Sequence, residues 1–115
     1  MSAKSGNAFR LAVEPDGLAI LTFDCPGEKA NKYSTPVMTE LEAVLDGLAK
    51  RSDVKALLLV SGKPDIFIAG ADVNEIAKAS DPAAIANGVR RGQEIFGKLA
   101  NLPFPTVAAI EGACV

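Results

Sequence analysis

The amino-acid sequence predicts an α/β fold with at most one domain, and three observations lead to that class. Short apolar runs of strand length alternate with longer segments whose apolar residues recur at helical spacing. Clusters of Gly, Pro, Asp and Asn separate these runs. The 115 residues are 49% hydrophobic and 23% charged, which is typical of a globular protein. The predicted order of elements is β-β-α-β-α-α-β.

The first two elements are predicted to form a β-hairpin. In residues 9–13, three apolar side chains alternate with Arg10 and Ala12, which is the period of a strand. The turn cluster at residues 14–17 leads into a second alternating run, residues 18–23. A loop is expected over residues 26–31.

The first helix is predicted to start at Thr35, with Ser34 as the alternative N-cap and Pro36 at the first helical position. Its apolar face consists of Val37, Leu41, Val44 or Leu45, and Leu48. The continuous apolar run at residues 54–60 then predicts a strand that is covered on both faces. Residues 61–65 break this run, and residues 66–68 resume an extended segment.

Two further helices are predicted from their N-caps. Asp72, with Glu75 three residues later, forms a capping-box pattern for a short helix over residues 73–78. Asp81 begins a longer helix that ends at Ala100, and Gly88 and Gly92 weaken it locally by about 1 kcal/mol each relative to Ala.

The final strand is predicted over residues 106–110 and has the apolar composition typical of a buried strand. The sequence stops soon afterwards, whereas an α/β domain normally covers both faces of its sheet. We therefore expect residues 1–7 to be a disordered tail and residues 8–115 to be a partial domain. Exposed apolar surface and an unpaired strand edge should make this chain poorly folded or oligomeric when it is alone.

Composition and charge exclude several classes of function. A net charge of −2 without like-charge blocks gives no electrostatic footprint for nucleic acid or an anionic membrane. The sequence has no histidine, which excludes Ser-His and Cys-His nucleophile pairs and most zinc or iron sites. No metal is expected, and no apolar run reaches the roughly 18 residues needed to cross a bilayer.

The cysteines and the N-terminus indicate a cytoplasmic protein. Cys25 and Cys114 are far apart and form no disulfide framework, so both are expected to be inert small hydrophobic residues. Residues 1–7 lack the apolar core of a secretory signal. Two thiols without an export signal fit a reducing compartment.

The candidate site lies where a strand meets a helix, at residues 67–72. Gly70 has no Cβ and lets a ligand approach the backbone, with small Ala69 and Ala71 on either side. Free N–H groups at the start of the helix capped by Asp72 face the same region and could bind a developing negative oxygen. Tight packing between a strand and a helix is the alternative explanation for these small residues.

Other candidate residues have plainer explanations. Residues 61–63 lack the spacing of a phosphate-binding G-x-x-x-x-G-K-[ST] loop and are predicted to form a surface turn. Lys29 and Lys32 could meet a phosphate or simply be solvated. Tyr33 is expected to pack over the start of the first helix. Nothing identifies Glu111 as a general base.

Several segments of the sequence resemble a known protein family. Residues 67–73 resemble the F-x-A-G-A-D-[ILV] motif of the crotonase superfamily, the enoyl-CoA hydratases and isomerases. Residues 29–33 are similar to the family loop that carries a basic residue and an Asn, and residues 57–62 to the strand before the motif. Residues 103–112 resemble its P-x-[VI]-A-A-[IV]-x-G run. The likeness extends over nearly all of the chain from Phe9 onward.

The resemblance implies the N-terminal half of a crotonase-like ββα spiral fold and an acyl thioester of coenzyme A as substrate. Coenzyme A is then part of the substrate, and no separate cofactor is implied. Ala71 would supply one of two backbone N–H groups that bind the thioester oxygen. The implied contacts with substrate and coenzyme A are Lys29, Ala30, Ala69, Gly70, Ala71, Asp72 and Val73.

The resemblance also implies groups that the 115 residues do not contain. The family's glycine triplet would follow directly after Val115, and its two catalytic glutamates would come later. A fragment without them should show little or no hydration. The sequence of residues 68–72 is similar to that of the hydratase module of multifunctional fatty-acid oxidation alpha subunits. In that module, water adds to a trans-2-enoyl-CoA. Such a parent is expected to be a homo-oligomer or part of a multienzyme complex.

Three alternatives stay open at the level of sequence. Another reaction of the superfamily, such as isomerisation, decarboxylation or thioester hydrolysis, would keep the same fold. A non-catalytic acyl-CoA-binding module would use only the coenzyme A groove. An unrelated nucleotide-binding α/β protein is less favoured, because no G-x-G-x-x-G motif follows the first strand.

Overall fold

A computed structural model describes residues 7–79 and 81–115. Residues 1–6 of the predicted tail therefore lie outside the described residues, and Asn7 is exposed and outside regular structure. The strands are β1 (Phe9–Val13), β2 (Leu18–Phe23), β3 (Ala56–Ser61), β4 (Ile66–Ile68), β5 (Thr106–Ala108) and β6 (Ala113–Cys114). The helices are α1 (Thr35–Ala49), α2 (Val73–Lys78) and α3 (Pro82–Ala100).

The larger sheet has four strands in the order β1-β2-β3-β5. β1 and β2 form the predicted antiparallel hairpin, with Phe9 opposite Phe23. β2 pairs in parallel with β3, and β3 pairs in parallel with β5. A separate parallel pair joins β4 to β6. The parallel pairs bring the ends of β2, β3 and β5 to one edge, where ligands commonly bind in sheets of this kind.

One apolar core joins the sheet to α1. Along β2 the buried residues are Ala19, Leu21 and Phe23, with half-buried residues between them, as period-2 alternation requires. The buried face of α1 consists of Val37, Leu41, Leu45 and Leu48, which belong to the same cluster as Leu57 of β3 and Ile95 of α3. Each such side chain contributes about 1.5–3 kcal/mol when fully buried.

Ion pairs on the outer side join α1 to α3. Lys98 Nζ lies 3.0 Å from Glu42 Oε2 and 2.9 Å from Asp46 Oδ1, and Arg91 Nη2 lies 3.4 Å from Glu42 Oε1. These side chains are exposed enough that each pair adds little stability. The ion pairs therefore help to orient α3 against α1 but contribute little to the free energy of unfolding.

Several predicted boundaries are corrected by the structure. Ser34, not Thr35, is the N-cap of α1, because its backbone is extended and its Oγ accepts from Val37 N. Pro36 accordingly falls in the second helical position. The capping box at α2 is half right: Asp72 caps the helix by accepting from Asn74 N, but the Glu75 carboxylate is bonded elsewhere.

The prediction that β3 is covered on both faces is wrong. In β3 only Leu57 is fully buried, and the remaining residues are half-buried. β5 ends at Ala108, and all three of its residues are exposed, because it lies at the sheet edge. Val107, at 61% exposure, and Ile110 leave apolar surface beside that edge, as the sequence predicted. β6 was not predicted, since a two-residue strand carries no periodic signal.

Candidate functional site

Two segments that are distant in sequence run side by side at the candidate site. We call residues 24–33 the anchored loop and residues 67–72 the motif segment. Ala69 N donates to Asn31 O at 2.7 Å, and Tyr33 N donates to Gly70 O at 2.8 Å. An isolated parallel bridge continues this pairing between Tyr33 and Ala71. The structure thus brings together the two segments that the sequence analysis singled out separately.

Asn31 fastens the anchored loop to three strands. Its side chain is fully buried, and Oδ1 accepts from Cys25 N at 2.9 Å. Nδ2 lies within hydrogen-bond distance of Phe23 O, Ser61 Oγ and Phe67 O, at 2.9, 3.1 and 3.0 Å. Burial of a polar group costs free energy unless the group is hydrogen-bonded. Here the Asn31 amide gives buried backbone carbonyls a hydrogen-bond donor. The sequence analysis noted this Asn only as part of a loop.

Gly70 turns the chain between the strand and Ala71. Its φ of +92° lies in the region that side chains with a Cβ rarely adopt, which explains the glycine. A Cβ at this position would lie 3.4 Å from Val115 O. Gly70 and Ala69 are half-buried and Ala71 is exposed.

The backbone N–H of Ala71 has no hydrogen-bond acceptor among the described residues. Ala71 also lines an apolar cavity, so a ligand in the cavity has access to this residue. An N–H group without an internal partner at the wall of a cavity is suited to bind a carbonyl oxygen.

The cavity has a volume of about 310 Å³ and lies between α2, the part of α3 from Ala84 to Phe96 and the start of α1. Its walls are mainly apolar, with Met38, Ile76, Ile85 and Phe96 among the lining residues. Ile76 is 50% exposed and Phe96 47% exposed, so the cavity is a groove open to solvent. Its size is at the lower end of small-molecule sites, and its apolar walls suit a hydrocarbon chain.

Tyr33 separates the cavity from the core. Its ring stacks on Phe96, with 4.5 Å between centroids and 9° between planes, and its hydroxyl donates to Gly92 O at 3.2 Å. A Cβ at Gly92 would lie 3.1 Å from the Tyr33 ring, so the glycine permits this close packing. Tyr33 therefore packs on α3, a contact that the prediction of packing over the start of α1 did not include. Burial raises the pKa of Tyr33 to about 12, which keeps the phenol neutral.

The two acidic residues beside Ala71 hold the backbone in place. Asp72 Oδ1 accepts from Asn74 N at 2.9 Å, as the cap of α2. The Glu75 carboxylate accepts from Thr35 N at 3.0 and 3.1 Å and from Thr35 Oγ1 at 3.0 Å, which joins α2 to the start of α1. Val73 follows on α2 and is 70% exposed. Neither carboxylate is thus positioned as a free general base.

The predicted surface turn at residues 61–63 holds a lysine that is not solvated. The side chain of Lys63 is only 11% exposed, and its Nζ lies 2.8 Å from Asp24 Oδ1. The same Nζ donates to Cys25 O and to Glu28 O, at 2.6 Å each. The Lys63 ammonium is the main reason that the pKa of Asp24 lies below its ordinary value.

The remaining candidates differ in exposure. Lys29 is exposed and Ala30 half-buried, while Lys32 Nζ lies 3.5 Å from Glu28 Oε1. Burial raises the pKa of the Cys25 thiol, in keeping with the predicted inert role, whereas Cys114 is exposed. Glu111 is exposed at the end of the segment after β5. Within the described part of the chain, no three acidic or thiol side chains converge as metal ligands.

No helix among the described residues is long and apolar enough to cross a membrane.

The sequence model of the enoyl-CoA hydratase/isomerase family matches residues 14–115. An enoyl-CoA hydratase structure from Geobacillus kaustophilus is 28% identical, with a TM-score of 0.82, over 91% of this chain and 38% of that one. A Pseudomonas aeruginosa DspI structure is 26% identical, with a TM-score of 0.81, over 96% of this chain and 44% of that one.

An enoyl-CoA hydratase structure from Bacillus anthracis supports the fold alone, at 21% identity and a TM-score of 0.83. It is matched over 92% of this chain and 40% of its own length. The chain thus spans about two fifths of the length of these solved structures. The family match covers nearly the whole sequence, and the chain belongs to the enoyl-CoA hydratase/isomerase family, with the fold of the crotonase superfamily.

Proposed function

We propose that this chain binds an acyl thioester of coenzyme A and that Ala71 N–H donates a hydrogen bond to the thioester oxygen. The observation that carries the proposal is the unused N–H of Ala71, which lies between the anchored loop and the apolar cavity. The acyl chain would enter the cavity, beside Val73 and the rest of α2. The coenzyme A arm would run along Lys29, Ala30, Ala69, Gly70 and Asp72.

The reaction that we propose is the hydration of a trans-2-enoyl-CoA, a lyase reaction of fatty-acid oxidation. Water adds its hydroxyl group to C3 and a proton reaches C2, so negative charge develops on the thioester oxygen in between. A fixed N–H directed at that oxygen stabilises the charge without any reorganisation during the reaction. Removing one such donor typically costs about 10²–10³ in rate. This is the contribution expected from Ala71.

Proton transfer requires groups that the described residues near Ala71 do not offer. Asp72 and Glu75 are both bonded to backbone groups. The family resemblance assigns the acid and base to two glutamates beyond a glycine triplet, and the 115 residues contain no match to that triplet. We therefore propose that residues 8–115 supply the binding half of the site and that this chain alone is inactive. Activity would then belong to a longer cytoplasmic protein, either a homo-oligomer or the hydratase module of a multienzyme alpha subunit.

The engaged carboxylates give specific support to a second candidate, a non-catalytic module that binds acyl-CoA. Such a module would use the same N–H and the same cavity without turnover. Isomerisation, decarboxylation and thioester hydrolysis share the stabilised enolate and differ in the acid-base groups.

The test is the hydration of crotonyl-CoA, followed by loss of enoyl absorbance, by this chain and by the full-length product of its gene. We expect binding without turnover by the 115 residues and hydration by the full-length product. A folded full-length product that binds but does not hydrate would favour another reaction or the binding module. Binding of ATP without binding of crotonyl-CoA would overturn the proposal, and turnover by the 115 residues would contradict the assignment of the acid-base groups.

A further inference from the structure

Lys63 makes a contact with the anchored loop that the oxyanion proposal does not use. Its ammonium group donates to two backbone carbonyls, Cys25 O and Glu28 O, at 2.6 Å each. The Asp24 carboxylate, 2.8 Å away, takes the third direction. An ammonium has three donors, so all of them are directed at the start of this loop. A lysine that is 11% exposed and fully bonded is not a free phosphate ligand.

The residues around Lys63 fix it to the sheet. Lys63 N donates to Ser61 Oγ at 2.9 Å, and that hydroxyl donates to Ile66 O at 2.8 Å. Gly62 N donates to Phe23 O at 2.9 Å. A Cβ at Gly62 would lie 2.7 Å from Asp24 Oδ2, so the glycine lets the two segments approach closely enough for Lys63 to reach the loop.

The anchored loop is therefore held at both ends, with Lys29 in between. Lys63 fixes Cys25 O and Glu28 O, directly before Lys29, and Asn31 fixes the other side through four contacts. Lys29 itself is exposed, so its charge faces solvent. A loop that is ordered before binding does not lose conformational entropy when a ligand arrives, which favours affinity.

We propose that Lys63 is a positioning residue for the nucleotide half of coenzyme A. It acts through the backbone of residues 25–28 to hold Lys29 where it meets the phosphates of the adenosine end. This inference rests on the proposed binding of acyl-CoA and assigns the two ends of the ligand to different residues. Lys63 serves the nucleotide end, whereas Ala71 serves the thioester end.

The test compares two ligands on the full-length product of the gene: crotonyl-CoA and crotonyl-pantetheine, which lacks the nucleotide. Lys63→Met is expected to weaken crotonyl-CoA binding by about tenfold, equivalent to about 1.4 kcal/mol, and to leave crotonyl-pantetheine binding unchanged. Arg10→Met is the matched control, since Arg10 pairs with Asp24 at 3.2 Å without a contact to the loop carbonyls. It should leave the affinity for both ligands unchanged.

A second measurement uses the rate of proteolysis to compare the order of the anchored loop in the absence of any ligand. Trypsin should cleave after Lys29 faster in Lys63→Met than in the parent chain or in Arg10→Met. Equal cleavage together with unchanged crotonyl-CoA affinity in Lys63→Met would overturn the positioning role. Equal weakening of both ligands would assign Lys63 a general structural role instead. A parent chain that binds neither ligand would refute the proposed function itself, which is a different outcome from a Lys63 variant that behaves like the parent.

Discussion

The two walls of the candidate site are built in different ways. On one side, the anchored loop and the motif segment are joined by backbone pairing, a fully buried Asn31 and a fully bonded Lys63. On the other side, α2 has no buried residue, and α3 buries only Gly92 and Ile95. The first wall is positioned by hydrogen bonds from the sheet. The second is positioned by the buried residues of α3, by the stacking of Phe96 on Tyr33 and by the Glu75–Thr35 contact.

This difference matches the two halves of the proposed ligand. A thioester oxygen and a chain of phosphates need donors and charges at fixed positions, because hydrogen bonds weaken steeply with poor geometry. An acyl chain needs only apolar surface, which is non-directional and tolerates movement. A polar wall fixed by hydrogen bonds and an apolar wall with few buried residues therefore suit the proposed acyl-CoA ligand.

Removal of the Asn31 side chain should be the most damaging change to the first wall. Asn31→Ala leaves Cys25 N and the carbonyls of Phe23 and Phe67 buried without this partner, and each lost partner costs about 1–3 kcal/mol. We expect the free energy of unfolding to fall by about 3–5 kcal/mol in denaturant titrations. Asn74→Ala, at an exposed position on α2, is the matched control and should change it by less than about 0.5 kcal/mol. Similar values for the two variants would contradict the role of Asn31.

Tyr33 connects the two walls and should make stability depend on alkaline pH. Because the folded pKa is raised from 10.0 to about 12, the unfolded chain loses its phenolic proton first as pH rises. The stabilisation is thus complete below pH 10 and is lost as pH rises toward 12, by about 2–3 kcal/mol in total. Denaturant titrations of the parent chain and of Tyr33→Phe across this range would measure it, and the variant should lack this part of the slope.

Ultraviolet absorbance gives an independent check on Tyr33, since the sequence has one Tyr and no Trp. Ionisation of the phenol near its ordinary pH in the folded chain would contradict its burial between α3 and the core.

Glu75 joins α2, in the second wall, to the start of α1. Removal of its side chain should lower the free energy of unfolding less than removal of Asn31 and should affect mainly α2. Glu75→Ala breaks the bonds to Thr35 N and Oγ1 in a partly exposed setting, which typically costs about 1 kcal/mol. Amide hydrogen exchange in α2 should become faster, while exchange in the anchored loop stays the same. Glu94→Ala, an exposed position on α3, is the control and should change neither. Faster exchange in both walls would mean that they are not independent.

Local signals in the sequence predict much of this fold. Alternation in residues 9–13 and 18–23 gives the limits of β1 and β2, and the Asp-initiated patterns at Asp72 and Asp81 give the starts of α2 and α3. These features depend on residues within one turn or one strand of each other. The motif segment was also identified from its own residues and from the family resemblance.

The features that hold the site together were not predictable in the same way. Asn31 binds Phe67 O from 36 residues away, Lys63 binds Cys25 O from 38, and Glu75 binds Thr35 from 40. Nothing in the neighbouring sequence distinguishes these side chains from solvated ones, since their partners are defined only when the sheet forms. The same reason explains why Lys63 was predicted to be in a simple surface turn and why Glu75 was assigned to a capping box.

The central claim, that Ala71 N–H is the donor to the thioester oxygen, can be tested directly by nuclear magnetic resonance on the labelled 115-residue chain. Addition of crotonyl-CoA should move the Ala71 amide proton downfield, because the N–H gains an acceptor, and the amides of Lys29 and Ala30 should shift with it. The amide of Asn74, already bonded to Asp72 within α2, should move far less. Shifts at Lys29 and Ala30 with an unmoved Ala71 amide would show that the ligand binds without this contact and would contradict the claim.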